Sequence, residues 1–226
     1  MWPAPTIAAR RRANRRPRTL LMRGPLRSIK GRGHLLSDEP PVVIGLTGAS
    51  GAPIAVRALR ALHEAKVPVA LVVSDGAVPV LREECGLAPG ALAQYARDVY
   101  DDHDLSSPLA SGSRRTRAMA IVPCSANSVA KVALGISDTL ILRAAQVHLK
   151  EHRPLVVVPR ETPLSAILLR HMTTLSELGV VVLVAAGPYY THPKSVDDIT
   201  DFLAGRLLDH LGVPHQLYRG WREGPG

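Results

Sequence analysis

The chain has 226 residues, of which 46% are apolar, and it carries a formal net charge of +9 at pH 7. This length and composition suffice for one domain with a sizeable core, and no apolar run reaches the roughly 18 residues that a membrane span needs. Two cysteines, Cys85 and Cys124, exclude a disulfide scaffold and fit a reducing, cytoplasmic setting.

The positive charge is concentrated at the N-terminus, where Met1 to His34 contain ten Lys or Arg and no acidic residue. The other 18 basic residues nearly balance all 19 acidic ones, so the remaining chain is close to neutral. A segment rich in Arg and Pro is typical of disorder, and we predict a basic disordered extension over residues 1–40. A nucleic-acid-binding arm and a transit peptide are alternatives. We favour a dispensable extension, with Met22 as a candidate start.

From residue 41 onward, short apolar runs alternate with helical patterns. The runs predict strands over residues 42–46, 67–73, 118–122, 155–158 and 180–185. The patterns predict helices over residues 52–65, 77–85, 125–134, 140–151, 163–177 and 196–211. Strands that are apolar throughout and alternate with helices indicate a parallel sheet covered on both faces. The predicted fold class is α/β, a three-layer Rossmann-like (flavodoxin-like) sheet in a single domain over residues 41–213, followed by an irregular tail over residues 214–226.

A glycine turn, Gly48-Ala49-Ser50-Gly51, joins the first strand to the first helix. The ligand crevice of such folds lies at the carboxyl ends of the strands, where the first helix offers free N–H groups and a positive dipole end. The turn therefore predicts a phosphate site, although such turns also simply connect strands to helices. It is not a P-loop, because no Gly-Lys-Ser/Thr follows.

A nicotinamide-dependent reductase is a competing interpretation of this turn. That chemistry needs a Tyr and a Lys four apart on one helix. The pair Tyr190 and Lys194 has this spacing, but Pro193 between them argues against a helix.

A second set of polar groups follows later strands. Ser125-Ala126-Asn127-Ser128 starts a helix with hydroxyl, amide and backbone donors, although Ser125 is equally explained as a helix cap. Arg160-Glu161 directly follows a buried strand, at the ligand edge of the sheet, where a charged pair costs desolvation. Several cations near one acid suit a phosphorylated substrate whose leaving group must be stabilised.

Two histidines, His148 and His152, lie one helical turn apart and hint at a metal site. Two ligands without a third are typical of surface histidines, so we predict no metal.

Seven motifs, in their order and spacing, resemble those of the UbiX-type flavin prenyltransferases, formerly described as small aromatic-acid decarboxylases. The resemblance runs from about Val42 to Trp221. The motifs are Thr47-Gly-Ala-Ser-Gly51, Ala110-Ser-Gly-Ser113, Pro123-Cys-Ser125, Arg143-Ala-Ala145, Leu149-Lys-Glu151, Val158-Pro-Arg-Glu-Thr-Pro-Leu164 and Ser195-Val-Asp-Asp198.

The resemblance implies a transferase that needs neither a metal nor a net redox change. Dimethylallyl monophosphate alkylates reduced FMN at N5 and then at C6, and the product, prenylated FMN, serves a UbiD-type decarboxylase. The resemblance also implies a homo-oligomer, often a dodecamer, with sites between subunits. From the apolar runs we expect no membrane partner, and because the basic charge belongs to the extension, a nucleic-acid partner is not expected.

The resemblance assigns residue roles by matching positions. FMN is expected to be held by Gly48, Ala49, Ser50, Ser74, Ser125, Ala126, Asn127, Ser128 and Arg160. The prenyl phosphate is expected to contact Arg143, Lys150, Glu161, Tyr190 and Arg206. The expected catalytic residues are Ser50, Glu84, Lys150 and Glu161.

Three positions depart from the family pattern: Leu105, Gln146, and the segment from Gly187 to Thr191. These departures affect the expected geometry of the site that holds the prenyl group, and the rate, more than the class of reaction. Flavin-dependent cysteine decarboxylases are one alternative, since they share a Pro-X-Ser-Ala-Asn-X segment like Pro123 to Ser128. Their Pro-X-Met-Asn segment is absent, however, and Pro159 to Pro163 stands in its place. A flavin-binding protein without activity and a nucleic-acid binder with a basic tail are the remaining alternatives.

Overall fold

Strand β1 (Val42–Leu46) is buried along its whole length and runs through the middle of a six-stranded sheet. The computed structural model describes residues 39–220, so the predicted extension lies outside the described residues except for its last two positions. The other strands are β2 (Val69–Val73), β3 (Asp98–Asp101), β4 (Ala118–Cys124), β5 (Leu155–Pro159) and β6 (Val181–Val182). The α-helices are α1 (Ala52–Glu64), α2 (Ala77–Cys85), α3 (Ala126–Ala133), α4 (Leu140–Lys150), α5 (Ala166–Glu177) and α6 (Val196–His210).

All neighbouring strands pair in parallel, in the order β3-β2-β1-β4-β5-β6. The order reverses between β1 and β4, where Val42 is paired with Val69 on one side and with Ala118 on the other. This is the strand order of the Rossmann fold, and ligands bind such sheets outside the carboxyl ends of the strands at the reversal. The predicted fold class is confirmed, and it locates the crevice between the loops that follow β1 and β4.

The core has two layers because alternate residues of a strand face opposite sides of the sheet. In β4, Ala118, Ala120 and Val122 pack with α1, α2 and α6 on one face. The next residues along, Met119 and Ile121, pack with α3, α4 and α5 on the other face. With helices on both faces, the sheet forms the middle of three layers.

Only β1 and α2 keep their predicted bounds, and β2 begins at Val69, two residues later than predicted. Strand β4 continues through Pro123 to Cys124 with an irregular register after Ile121, and β5 includes Pro159, so neither proline ends its strand at the preceding residue. Helix α5 begins at residue 166 instead of 163, because the Ser165 hydroxyl accepts a hydrogen bond from the N–H of Leu168 and caps it there. Strand β6 is two residues long, shorter than the predicted run.

Strand β3 was not predicted, and neither were the 3₁₀-helices Pro89–Tyr95 and Pro108–Ala110. β3 lies at the edge of the sheet, is only half buried and has Asp at both ends, so it lacks the apolar run that marks the inner strands. Within residues 39–220, no helix combines the length and the apolar character needed to cross a membrane.

Candidate functional site

Thr47 holds the two loops of the strand-order reversal together. Its hydroxyl donates to the carbonyl of Pro123 at 2.9 Å and accepts from the N–H of Ser125 at 2.8 Å. The side chain is buried, so both bonds are made in a protected environment. These two hydrogen bonds therefore clamp the loop that follows β1 to the loop that follows β4.

Replacing Thr47 by Val is expected to lower the free energy of unfolding by about 2 kcal/mol, because the N–H of Ser125 loses its acceptor while the side chain keeps its shape. Urea denaturation measures the change. Thr173→Val, on the exposed side of α5, is the matched control and should change the free energy by less than about 0.5 kcal/mol. Equal effects of the two substitutions would contradict the clamp.

Gly48 lies against the loop between β2 and α2. A Cβ atom at this position would stand 2.8 Å from the carbonyl oxygen of Gly76, closer than such atoms approach in proteins. The absence of a side chain therefore lets the turn after β1 and the loop after β2 come together at the carboxyl edge of the sheet.

Gly48→Ala is expected to destabilise the fold by about 1–3 kcal/mol, because the added methyl group forces these two backbones apart. Thermal unfolding tests this. Gly90→Ala is the control, since a Cβ at Gly90 has no neighbour within 4 Å. A Gly48→Ala protein as stable as Gly90→Ala would show that the loops are not in tight contact.

A cavity of about 420 Å³ opens beside this edge. It brings together five residues that were predicted to bind a cofactor: Gly48, Ser74, Ser125, Asn127 and Ser128. The Ser125 hydroxyl also accepts from the N–H of Ser128 at 3.1 Å, so capping of α3 and lining of the cavity are both observed for this residue. The other four residues predicted to hold FMN are not part of the cavity wall: Ala49, Ser50, Ala126 and Arg160.

Further residues line the cavity without having been predicted. They are Thr47, Asp75, Gly76, Asp102, His103, Lys131, Thr139, Ile141 and Leu142. Asp75 and Gly76 follow β2, and Thr139, Ile141 and Leu142 lie at the start of α4. Only Asp102 and His103 follow the unpredicted β3. The Asp-Asp-His-Asp run at residues 101–104 is the one sequence signal that could have indicated them.

Ion pairs and caps organise the charged groups of this wall. His103 Nε2 lies 3.0 Å from a carboxylate oxygen of Asp75, and this hydrogen bond and the charge of Asp75 raise the pKa of His103. Lys131 is paired with Asp138 at 2.6 Å. The buried Asp102 accepts from the N–H of Ile141 at 2.8 Å and so caps α4, while burial raises its pKa.

Glu84 caps the start of α1 from a neighbouring helix. Its Oε2 accepts from the N–H groups of Gly51 and Ala52, each at 2.9 Å. Gly51 has a φ of 114° and no side chain with which to cap the helix itself. The positive end of the α1 dipole therefore faces a carboxylate supplied by α2.

The environment of Glu84 favours its ionised form. Partial burial raises the pKa, but a hydrogen bond from Ser50, the bonds from Gly51 and Ala52, and the charge of Arg160 outweigh it and hold the pKa below the ordinary value of 4.5. Ser50 and Arg160 thus both act on Glu84, although the three residues are far apart in the sequence. Glu161 follows Arg160 at the exposed end of β5.

Within one chain, Lys150 lies near the amino ends of the strands, opposite the carboxyl ends where Arg160 lies. It ends α4, immediately before the loop that enters β5, whereas Arg160 follows the end of β5. At about 3.3 Å per residue, the strand alone spans roughly 16 Å. Lys150 is paired with Glu151 at 3.3 Å, next to Gly112. One chain therefore does not bring Lys150 to Glu161.

Arg143 also points to the segment that contains Gly112. Its Nε donates to the carbonyl of Ala110 at 3.1 Å, and its side chain is exposed. The predicted Ala110-Ser-Gly-Ser113 motif thus lies along α4 beside two of the predicted phosphate ligands, Arg143 and Lys150.

Tyr190 and Arg206 adjoin the same residue of α6. The ring of Tyr190 packs edge-on against Phe202 with ring centres 6.2 Å apart, and Arg206 follows Phe202 by one helical turn. Both predicted phosphate ligands therefore lie near Phe202, Tyr190 in the loop that packs against α6 and Arg206 on the helix itself.

The residues that depart from the family pattern have identifiable contacts or exposures. Gln146 donates to the carbonyl of Val132 at 2.8 Å and links α4 to α3. Leu105 and Tyr189 are exposed.

His148, which had hinted at a metal, is buried with Nδ1 near the carbonyl of Ala144 and Nε2 near the Thr116 hydroxyl, each at 2.9 Å. Within residues 39–220, no group of three potential metal ligands occurs.

Comparison with known proteins identifies the class that this fold and cavity define. A family model described as Flavoprotein matches residues 33–208, so the chain is a flavoprotein. The flavin prenyltransferase UbiX of Thermoplasma acidophilum is 48% identical over 182 residues, which cover 80% of this chain and 99% of that relative. The chain belongs to the UbiX-type flavin prenyltransferase family.

Two solved structures are similar to this chain. AnUbiX, in complex with FMN and dimethylallyl pyrophosphate, is 35% identical with a TM-score of 0.80, covering 83% of this chain and all of that one (100%). A dodecameric FMN-dependent UbiX-like decarboxylase from Escherichia coli O157:H7 is 39% identical with a TM-score of 0.79, covering 80% of this chain and 99% of that one.

Proposed function

We propose that this protein transfers the dimethylallyl group of dimethylallyl monophosphate to N5 and C6 of reduced FMN. The observation that carries the proposal is the junction of Ser50, Glu84 and Arg160 at the carboxyl edge of the sheet, beside the cavity at the strand-order reversal. A solved relative with this fold is in complex with FMN and dimethylallyl pyrophosphate.

The residues of the carboxyl edge fit FMN. Gly48 and the hydroxyl-bearing residues Ser74, Ser125 and Ser128 line the cavity. The hydroxyls of Ser125 and Ser128 are hydrogen-bonded to each other at 2.9 Å, so one of their two protons, together with that of Ser74, remains for phosphate or ring oxygens. In the proposed complex, Gly48, Ala49, Ser50, Ser74, residues 125–128 and Arg160 hold FMN. When bound and reduced, FMN supplies the electron-rich atoms that are alkylated.

The proposed roles of the charged groups follow from the charge that develops as an allyl–phosphate bond breaks. Negative charge grows on the phosphate, and the proposed ligands Arg143, Lys150, Tyr190 and Arg206 stabilise it. Glu161 exchanges a proton with the departing phosphate. Glu84, ionised at neutral pH, would accept the proton that alkylation of the flavin releases, relayed through the hydroxyl of Ser50, which donates a hydrogen bond to it.

We further propose that the complete site is shared between copies of the chain. The support is the position of Lys150, which lies across the length of β5 from Arg160 in one chain. A second copy that presents Arg143 and Lys150 to this edge would supply the missing cations, and a solved relative is dodecameric. The homo-oligomer is therefore part of the proposed mechanism.

We propose a UbiD-type decarboxylase as the recipient of the product and the cytoplasm as the location, the latter supported by two free cysteines. The flavin-binding unit is proposed to cover residues 41–213, with residues 1–40 as a separate basic extension and residues 214–226 as an irregular C-terminal tail.

The test of the proposed product is the activation of a cofactor-free UbiD-type decarboxylase. Incubation of that apoenzyme with this protein, reduced FMN and dimethylallyl monophosphate should restore decarboxylation, and omission of the prenyl donor should not. The competing activity is oxidative decarboxylation of a peptide with a C-terminal cysteine. If the protein decarboxylates that peptide and the UbiD-type apoenzyme stays inactive, the protein is a cysteine decarboxylase and not a prenyltransferase.

A further inference from the structure

The C-terminal segment of residues 215–218 is packed onto α6 next to Arg206. A Cβ atom added to Gly205 would lie 2.5 Å from the ring of Tyr218 and 2.8 Å from that of His215. The Tyr218 ring also packs against Phe202, with centres 4.9 Å apart. Because Phe202 contacts Tyr190 as well, one aromatic cluster joins this segment to the loop that carries Tyr190.

Asp209 is the centre of a hydrogen-bond network within this packing. Its Oδ2 accepts from Arg206 Nη1 at 2.8 Å and from the Tyr218 hydroxyl at 2.5 Å. Its Oδ1 lies 2.9 Å from His215 Nε2. Burial opposes the charge of Asp209, but the bonds from Tyr218 and His215 outweigh it and lower the pKa, so Asp209 is ionised at neutral pH.

The contact of His215 Nδ1 shows which ring nitrogen carries the proton. Nδ1 accepts from the N–H of Leu217 at 3.1 Å, so the proton that faces Asp209 is on Nε2. The segment thus folds back on itself and presents two donors, His215 and Tyr218, to one carboxylate.

These contacts hold one side of the Arg206 guanidinium. Within residues 39–220, both hydrogen bonds of Arg206 go through Nη1, to Asp209 and to the Tyr218 hydroxyl at 3.1 Å. The Nε and Nη2 groups form the other side of the planar fork, which matches two oxygens of a phosphate. Because Nη1 is held, the Nε and Nη2 side keeps a fixed direction. The side chain then loses less conformational entropy when phosphate binds.

We infer that residues 215–218 belong to the prenyl-phosphate site, with Asp209 and Tyr218 as positioning residues that aim Arg206 at the phosphate. This inference rests on the proposed function, which makes Arg206 a phosphate ligand. It extends the functional part of the chain past α6 into the tail that the sequence pattern predicts to be irregular.

The test compares Tyr218→Phe, which keeps the packed ring and removes the hydroxyl, with the full-length wild type. We expect the KM for dimethylallyl monophosphate to rise about 10-fold while kcat changes less than about twofold. The Kd for FMN and the Tm should stay unchanged. Asp209→Asn should act in the same direction. Tyr95→Phe, whose ring lies against His63 on α1, is the control and should keep the wild-type KM.

Binding of inorganic phosphate, measured by calorimetry, gives a readout independent of catalysis. Weaker phosphate binding by Tyr218→Phe supports the inference even if the wild type forms no prenyl adduct, an outcome that would refute only the proposed function. An unchanged KM and unchanged phosphate affinity would overturn the inference. A parallel loss of kcat, FMN affinity and Tm would also overturn it, since it would reveal a purely structural role.

Discussion

Replacement of Glu84 by Gln is expected to lower kcat for prenyl transfer by about 100-fold while FMN binding changes by less than about threefold. The amide keeps the size of the side chain and can still accept a hydrogen bond from Gly51 or Ala52. It cannot accept a proton from Ser50. Rates of single turnovers with reduced FMN measure the loss, and FMN titration measures the binding.

The neighbouring acid provides the control for this prediction. Glu83 is on the same helix and exposed, so Glu83→Gln should leave kcat unchanged. The pH dependence has a definite sign. Because the pKa of Glu84 is held below 4.5, the stability that its ionised form contributes is present above about pH 4.5 and is lost as the pH falls through the lowered value. Equal rates for the Glu84 and Glu83 variants would remove Glu84 from the mechanism.

Mixing two inactive variants is expected to restore activity if sites are shared between copies. Lys150→Met alone should reduce kcat by about 100-fold, because the leaving phosphate loses a cation. Random assembly of equal amounts of Lys150→Met and Glu84→Gln subunits should then recover about one quarter of the wild-type rate, since one site in four receives both native residues.

The subunits must be dissociated and reassembled together for this measurement. Mixing without exchange is the first control and should give no recovery. Arg170→Met, which removes an exposed cation from α5, is the second and should stay active. Absence of recovery after demonstrated exchange would mean that Lys150 and Glu84 serve the same chain, contrary to their placement at opposite edges of the sheet.

The alternation of apolar runs and helical patterns was sufficient to predict five of the six strands and the layered fold. It failed at β3, whose half-exposed residues and terminal aspartates are typical of an edge strand and not of a buried one. It also ended β4 one residue before Pro123, because a proline lacks a donor for the ladder. In the structure the chain continues to Cys124 through an irregular register.

The candidate site was predicted unevenly for a physical reason. Residues that follow strands, such as Gly48, Ser125 and Arg160, could be located because parallel strands end at a common edge. Asp102 and Lys131 could not, since their position in the cavity depends on β3 and on the path of α3. Glu84 entered only through the family resemblance, because its contact with the start of α1 comes from the packing of two helices.

The central claim is that this flavoprotein makes prenylated FMN. The most direct measurement is mass spectrometry of the flavin after the metal-free protein has been incubated with reduced FMN and dimethylallyl monophosphate. We predict an FMN adduct that is heavier by one five-carbon unit, formed by the wild type and by Glu83→Gln. Unmodified FMN bound to fully folded wild-type protein would contradict the claim.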